Sequence, residues 1–464
     1  MTYAEGVRYL ESFVNHERTH QPEAMRAIRL ERMRHLCRQL GDPQRRFRSI
    51  VVTGTNGKGS VCALLYSMLR ESAMRVGLYT SPHIEHLRER IRVWTAGPVS
   101  EARRHGDDWV SEEELLAALQ RLQPVLKAMR TASPEEVPTY FEVMTALAFL
   151  VFSQRQVEIA VLEVGMGGRL DATNVVEQAV SVITPIALDH TDVLGADVAA
   201  IATEKAGIIK PGQTVITAPQ SPEVAEVLRA ACEAQGARLI QCGTDLAVRI
   251  DRQGPEGFHA SIAGTRGTYG ALEIPLLGRH QADNAAAAVA ALEALSPTGA
   301  PYGPVERGLA RAEWPGRLEV VNDSPTVIMD GAHNPHAAAT LRETVETLWP
   351  GRPVHLILGM SADKPIEEVG RLLAEMAAGV TCTKSRHPRA LDPTVLAKRI
   401  APWCRDVHVM SDPTDALTYV LNAVPPDSVI VVTGSLFLVG QLRAAIRQSH
   451  LSAKGARKPV TVPA

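Results

Sequence analysis

No cysteine of this chain stands at metal-binding or redox spacing. The six, Cys37, Cys62, Cys232, Cys242, Cys382 and Cys404, are scattered with no C-x-x-C pair. That excludes a thiolate zinc site and a disulfide framework, and a reducing cytoplasm is the expected compartment. Charge of one sign is lacking too. A formal net charge of −2 over 464 residues argues against a nucleic-acid or membrane-surface partner, since neither sign dominates. The largest basic cluster, "GDPQRRFRS" at 41–49, precedes a strand and reads as a solvated connection. Long apolar runs are missing as well. The opening "MTYAEGVRYLESFVNHERTH" has no signal-peptide core, and nothing reaches the roughly 18 apolar residues of a membrane span.

What is present is ordinary globular composition, 45% apolar and 22% charged. The length exceeds one ordinary core, so two or three domains are expected. Short β-branched runs alternate with amphipathic segments, the pattern of a parallel α/β sheet. "SIVVTG" (49–54), "RVGLYTS" (75–81), "VEIAVLEVG" (157–165), "AVSVITPI" (179–186) and "QTVITAP" (213–219) read as strands. A helix is expected over 60–73. Another is expected over 138–156, with Phe141, Met144, Ala148, Val151 and Phe152 along one stripe. Residues 97–138 form a charged insertion with one expected helix. Pro and Gly concentrate over 296–316, after which the alternation restarts with "TVIMDGAHN", "PVHLILGM" and "DSVIVVTGS". A second, smaller α/β domain is expected there.

The stretch "VVTGTNGKGSVCALL" (51–65) joins a buried strand to a helix. Glycines at 54, 57 and 59 let backbone N–H groups converge on an anion at a helix N-terminus. Lys58 is placed to reach the β- and γ-phosphates, and the Ser60 hydroxyl to ligate Mg²⁺. The spelling departs from G-x-x-x-x-G-K-[ST]: Val52 stands where the first glycine would be, and Gly59 separates Lys58 from Ser60. A Gly-rich turn that binds nothing would not need strand, lysine, serine and helix in this order.

This shorter form, G-T-N-G-K-G-S, resembles that of the ATP-dependent Mur-type ligases, and most closely their folate-acting branch, folylpolyglutamate synthase/dihydrofolate synthase. The blocks "SPHIEHLRERI" (81–91), "TYFE" (139–142), "EVGMGGRLDATN" (163–174), "ALDHTDVLG" (187–195), "IATEKAGIIKPG" (201–212), "LLGRHQADNAAAAVAAL" (276–292), "WPGRLE" (314–319) and "MDGAHNP" (329–335) are similar to that family's. So are "DKP" (363–365), "SRHPRA" (385–390) and "GSLFLVG" (434–440). One departure is Arg29 in "RLERM", where the family has Gly. By themselves Glu142 would pass as a helix-dipole partner, His190 as a structural histidine and Asn284 as part of a helix cap.

The resemblance implies an α/β fold of Mur ligase architecture. A P-loop-type ATPase and folate-binding domain with a parallel-rich sheet would span 1–296. A linker or hinge would follow over 297–316, a Rossmann-like ligase domain over 317–451, and a disordered tail over 452–464. It implies ATP contacts from Thr55, Asn56, Gly57, Lys58, Gly59, Ser60, Asn284, Arg317 and Asp330. Metal contacts would come from Ser60, Ser81, Glu142, His190 and Lys205, the last as a carbamate, with two Mg²⁺ ions expected. His83, Arg90 and Asp171 would lie on the folate side, and Lys58, Lys205 and His333 would serve catalysis. The implied reaction joins L-glutamate to dihydropteroate, to tetrahydrofolate or to both through an acyl phosphate. No organic prosthetic group is expected, and a monomer is. A cell-wall ligase acting on a UDP-sugar substrate is the alternative, disfavoured by "SPHI…ERI" and "GGRLDATN".

Overall fold

The computed structural model describes the chain except for residues 20, 27, 96–105, 134–135, 297–298 and 456–464. It divides into two compact units, Met1–Trp314 and Pro315–Ala464. All six cysteines are buried and unbridged. Among the described residues no helix is long and apolar enough to cross a membrane.

The first unit is built on seven strands: β1 (Arg48–Thr53), β2 (Val76–Tyr79), β3 (Ile91–Trp94), β4 (Ile159–Glu163), β5 (Gln178–Ile183), β6 (Thr214–Thr217) and β7 (Arg238–Gln241). Their order is β3-β2-β4-β1-β5-β6-β7. Every pair is parallel except the edge pair of β2 with β3. Central strands read as unbroken apolar runs because both faces are covered. Successive residues take opposite faces: Ile50 and Val52 join one apolar cluster and Val51 the other. The register sets Val52 beside Glu163 and Thr53 beside Ile183. The carboxyl ends of β1, β4 and β5 therefore open together, which is where ligands bind in such sheets.

Helix Lys58–Arg70 lies on one face with the Ala-rich helix His280–Ala294, whose small side chains allow close packing. Helix Tyr140–Gln154 lies on the other face. The expected single stripe on it is exceeded: from Tyr140 to Phe152 every residue except Phe141 is buried. A helix buried on all sides shows no polar face. Helix Glu112–Ala132, within the expected insertion, packs outside it and starts with the Ser111/Glu114 capping box.

A separate antiparallel sheet, β8 (Ala247–Gly254), β9 (Gly257–Ala263) and β10 (Thr268–Ile274), turns Phe258, Ala260 and Ile262 inward. The stretch expected as a linker is partly helical. Tyr302–Ala310 buries Val305 and Leu309, and Arg307 and Arg311 pair with Glu71 at 2.9 and 2.7 Å. This short helix packs on helix Lys58–Arg70.

The second unit holds β11 (Glu319–Asp323), β12 (Thr326–Met329), β13 (Val354–Leu358), β14 (Gly379–Cys382), β15 (Val407–Val409) and β16 (Val429–Thr433), ordered β11-β12-β16-β13-β14-β15. Only the β11–β12 hairpin is antiparallel. The last helix, Leu436–Gly455, runs four residues into the expected tail; the remainder of that tail, 456–464, lies outside the described residues.

Candidate nucleotide and substrate site

Gly57 caps helix Lys58–Arg70 with φ +87°, a conformation open to glycine and strained for other residues. The loop before it is pinned to the segment after β5. Thr55 N–H donates to Pro185 O at 2.9 Å and its hydroxyl to Ala187 O at 3.0 Å, while Ala187 N–H returns a bond to Thr55 Oγ1 at 3.1 Å. Asn56 N–H also reaches Pro185 O, at 3.3 Å. The start of helix His280–Ala294 closes on the loop. Asn284 Nδ2 donates to Gln281 Oε1 at 2.9 Å, and Gln281 Nε2 to Ser60 Oγ at 3.3 Å. A Cβ on Gly59 would lie 2.6 Å from the ring of Trp314, so that glycine is what lets the indole sit on the first helical turn.

Two lysines share one carbonyl. Lys58 Nζ donates to Gly54 O at 3.1 Å and Thr55 O at 3.0 Å, and Lys205 Nζ to Gly54 O at 2.7 Å. Burial, reinforced by the Lys58 charge, pulls the Lys205 amine from its usual 10.5 down to about 7, against the opposing pull of Asp189 and Asp171. His190, at φ +51°, caps the short helix Thr191–Leu194, and its N–H donates to Asp189 Oδ1 at 3.0 Å. After β2, Ser81 N–H donates to Glu163 Oε2 at 3.1 Å. Glu163 is buried at the carboxyl end of β4, beside the phosphate-loop strand.

On the other side of Ser81, Arg90 Nε donates to His83 Nδ1 at 2.9 Å, and Arg90 forks onto Glu17 at 2.8 and 2.5 Å. Burial, with the Arg90 charge adding, pushes His83 down to about 3. Asp171 is spent on its own loop: Oδ2 accepts from Gly165 and Met166 N–H, and Oδ1 from Thr173 N–H and hydroxyl. Burial raises its pKa against these bonds.

In the second unit Asp330 accepts from Leu318 N–H at 2.9 Å and Ala332 N–H at 2.8 Å; burial raises its pKa while Arg317 opposes. Arg317 lies against Gly331, its Nη1 2.5 Å from where a Cβ would stand. His333 Nδ1 is 2.7 Å from Gly331 O, so that nitrogen carries the hydrogen. Arg317, Asp330 and His333 thus gather at the carboxyl end of β12.

Two family profiles cover these elements: the Mur ligase middle domain matches residues 111–292 and the Mur ligase glutamate ligase domain 316–436. The dihydrofolate synthase/folylpolyglutamate synthase of Bacillus subtilis is 33% identical over 424 residues, 90% of this chain and 95% of that one. The chain belongs to the folylpolyglutamate synthase/dihydrofolate synthase family of Mur ligases. Mycobacterium tuberculosis folylpolyglutamate synthase complexed with ADP superposes with TM-score 0.86 at 31% identity, covering 98% of this chain and 99% of that one. Escherichia coli FolC in complex with DHPP and ADP gives 0.83 at 29% identity, over 97% and 99%. The α/β fold of parallel-rich sheets is that of this family.

A Mur-type ligase of the folylpolyglutamate synthase family calls for Mg²⁺ with its nucleotide. Among the described residues no group of three or more His, Cys, Asp or Glu is arranged around a metal. Mg²⁺ keeps several waters and binds through one or two carboxylates plus substrate phosphates instead of an all-protein cage. The hydroxyls of Ser60 and Ser81 and the Glu163 carboxylate supply hard oxygen donors of that kind.

The Glu142 carboxylate takes the Arg32 fork at 2.7 to 3.0 Å and also Thr139 N–H and hydroxyl, as the capping box of helix Tyr140–Gln154. A metal role for Glu142 would share this carboxylate with Arg32 and Thr139. Asp171 has a loop-building part through its four hydrogen bonds. Residues passed over in the sequence are Glu163, Gln281, Trp314 and Glu17. Only Glu163 carried a signal, its place at a strand's carboxyl end.

Proposed function

We propose that this chain joins L-glutamate by an amide bond to a pterin-linked carboxylate, that of dihydropteroate, of a reduced folate or of both. It is an ATP-dependent ligase, and it works through an acyl phosphate. The observation that carries this reading is the Thr55–Ser60 loop at the N-terminus of helix Lys58–Arg70, in a chain alike over 90% of its length to the Bacillus dihydrofolate synthase/folylpolyglutamate synthase.

A carboxylate is a poor electrophile with a poor leaving group. Its attack on the γ-phosphorus of ATP releases ADP and makes a mixed anhydride. The glutamate amine then attacks the acyl carbon, phosphate leaves with the bonding pair, and the amine proton passes to solvent or a base. The loop N–H groups and helix N-terminus bind the phosphates. Lys58 has to leave the Gly54 and Thr55 carbonyls to reach them, a gain of charge compensation made only with nucleotide present. Arg317, Asp330, His333 and Asn284 are proposed nucleotide contacts. Ser60, Ser81, Glu142, Glu163 and His190 would hold Mg²⁺, which supplies Lewis-acid neutralisation of phosphate charge when bound.

Lys205 has the depressed pKa that leaves a neutral amine. It would take up carbon dioxide by forming an N–C bond and releasing a proton, becoming an anionic oxygen ligand. A monomeric enzyme with two Mg²⁺ ions and a cytoplasmic setting completes the reading.

ADP release from ATP decides it, measured with dihydropteroate plus glutamate and separately with tetrahydrofolate plus glutamate. Release requiring both glutamate and a pterin acceptor is expected. Turnover confined to UDP-muramoyl acceptors, or ADP release with no acceptor, would overturn it.

A further inference from the structure

The site contains one hydrogen-bond relay whose direction is forced. Arg90 is 1% exposed, and a guanidinium has only donors. Two of its nitrogens serve Glu17 in a bidentate fork. The third, Nε, donates to His83 Nδ1 at 2.9 Å. Nδ1 must therefore present its lone pair, which places the ring hydrogen of neutral His83 on Nε2. A hydrogen on Nδ1 would set two donors face to face. The Arg90 guanidinium is further fixed 5.4 Å over the Tyr140 ring, so the relay has no freedom to turn. Nε2–H has no hydrogen-bond partner among the described residues. His83 stands two residues past Ser81, whose N–H holds Glu163.

We propose that His83 Nε2–H donates to an oxygen of the reacting carboxyl group of the pterin-bearing substrate. Glu17, through Arg90, is the positioning residue that keeps the hydrogen there. The proposal rests on the ligase reading above. A donor held in one tautomer needs no reorganisation when negative charge gathers on that oxygen during glutamate attack. Glu17 acts through Arg90. Its part is to lock the Arg90 fork so that Nε stays on Nδ1; without it Arg90 is a buried charge free to seek other acceptors.

Two measurements on the full-length protein test this. Histidine labelled with ¹⁵N, with the His83 signals assigned by their loss in His83→Gln, reports which ring nitrogen carries hydrogen. Hydrogen on Nε2 is expected, and hydrogen on Nδ1 overturns the proposal.

In kinetics, His83→Asn keeps an acceptor for Arg90 and loses the Nε2 donor, whereas His83→Gln carries an amide N–H close to the Nε2 position. His83→Asn is expected to lower kcat/KM for the pterin substrate about tenfold, with KM for ATP unchanged, and His83→Gln to restore most of it. Equal kinetics in His83→Asn and wild type, or no rescue by glutamine, overturns the proposal. Glu17→Gln should mix the two tautomers and repeat the kinetic split; an unchanged spectrum removes Glu17 from it. If Glu17→Gln fails to fold, the wild-type spectrum and the two His83 variants still decide. Wild-type protein releasing no glutamate-dependent ADP would sink the ligase reading instead, and the tautomer result would stand apart from it.

Discussion

Lys205 shows how one buried amine can carry a pH dependence. Its pKa is about 7 in the fold against an ordinary 10.5. Above about pH 7 the folded chain gives up this proton while the unfolded chain keeps it, so the unfolded state binds more protons and stability rises with pH. In carbon-dioxide-free buffer the thermal midpoint should climb from about pH 7 to about pH 9 more in wild type than in Lys205→Met. Identical slopes would show that Lys205 is not desolvated as the fold implies. Lys58 is a different case, since its ammonium rests on two loop carbonyls. Lys58→Ala should cut kcat by about a hundredfold or more with little change in melting, read from ADP release beside a thermal scan. The two carboxylates are tested in the same way: Glu163→Gln and Glu142→Gln should each raise the Mg²⁺ concentration needed for half-maximal activity, and a variant that leaves it alone marks a carboxylate that holds no metal. Arg32→Ala should destabilise the fold by about 3 kcal/mol, because it strands the buried Glu142 charge; chemical denaturation measures that.

Among the elements, the helix that opens the phosphate loop is held from outside by two partners distant in sequence, Gln281 and Trp314. Gly59→Ala would drive a methyl into the indole. It should lower stability and weaken ADP binding together, and Trp314→Leu should relieve a good part of both. Strictly additive effects of the pair would show that ring and glycine are not in contact.

The loop itself was legible because its chemistry is local: strand, three glycines, lysine, serine and helix within a dozen residues. Its neighbours were not. Ser81 and Glu163 meet across 82 positions, and no periodicity reports such a pairing. The Arg32 partner of Glu142 was not legible either, because a carboxylate in a first helical turn looks alike whether it faces a cation or an arginine. The β8–β10 sheet has a period of two in Phe258, Ala260 and Ile262, but alanine gives little contrast in so short a run. Helix Tyr302–Ala310 was hidden by the Pro and Gly around it, although Val305 and Leu309 fall at helical spacing.

For the molecule as a whole, the α/β alternation and its restart after about residue 316 were legible because parallel sheets bury both faces and announce themselves as β-branched runs. The order in which those strands pair is not local. Only the register of β1 with β4 and β5 brings Thr55, Ser60, Glu163 and Lys205 to one end of one sheet. That convergence makes sense for a reaction in which a carboxylate must be phosphorylated before an amine can displace it. The most direct measurement follows an atom. With ¹⁸O in the carboxyl group of the pterin substrate, inorganic phosphate released during glutamate ligation should carry one ¹⁸O from that group, left behind when the acyl phosphate is cleaved. Phosphate free of the label, with turnover intact, would contradict activation of the carboxylate by ATP.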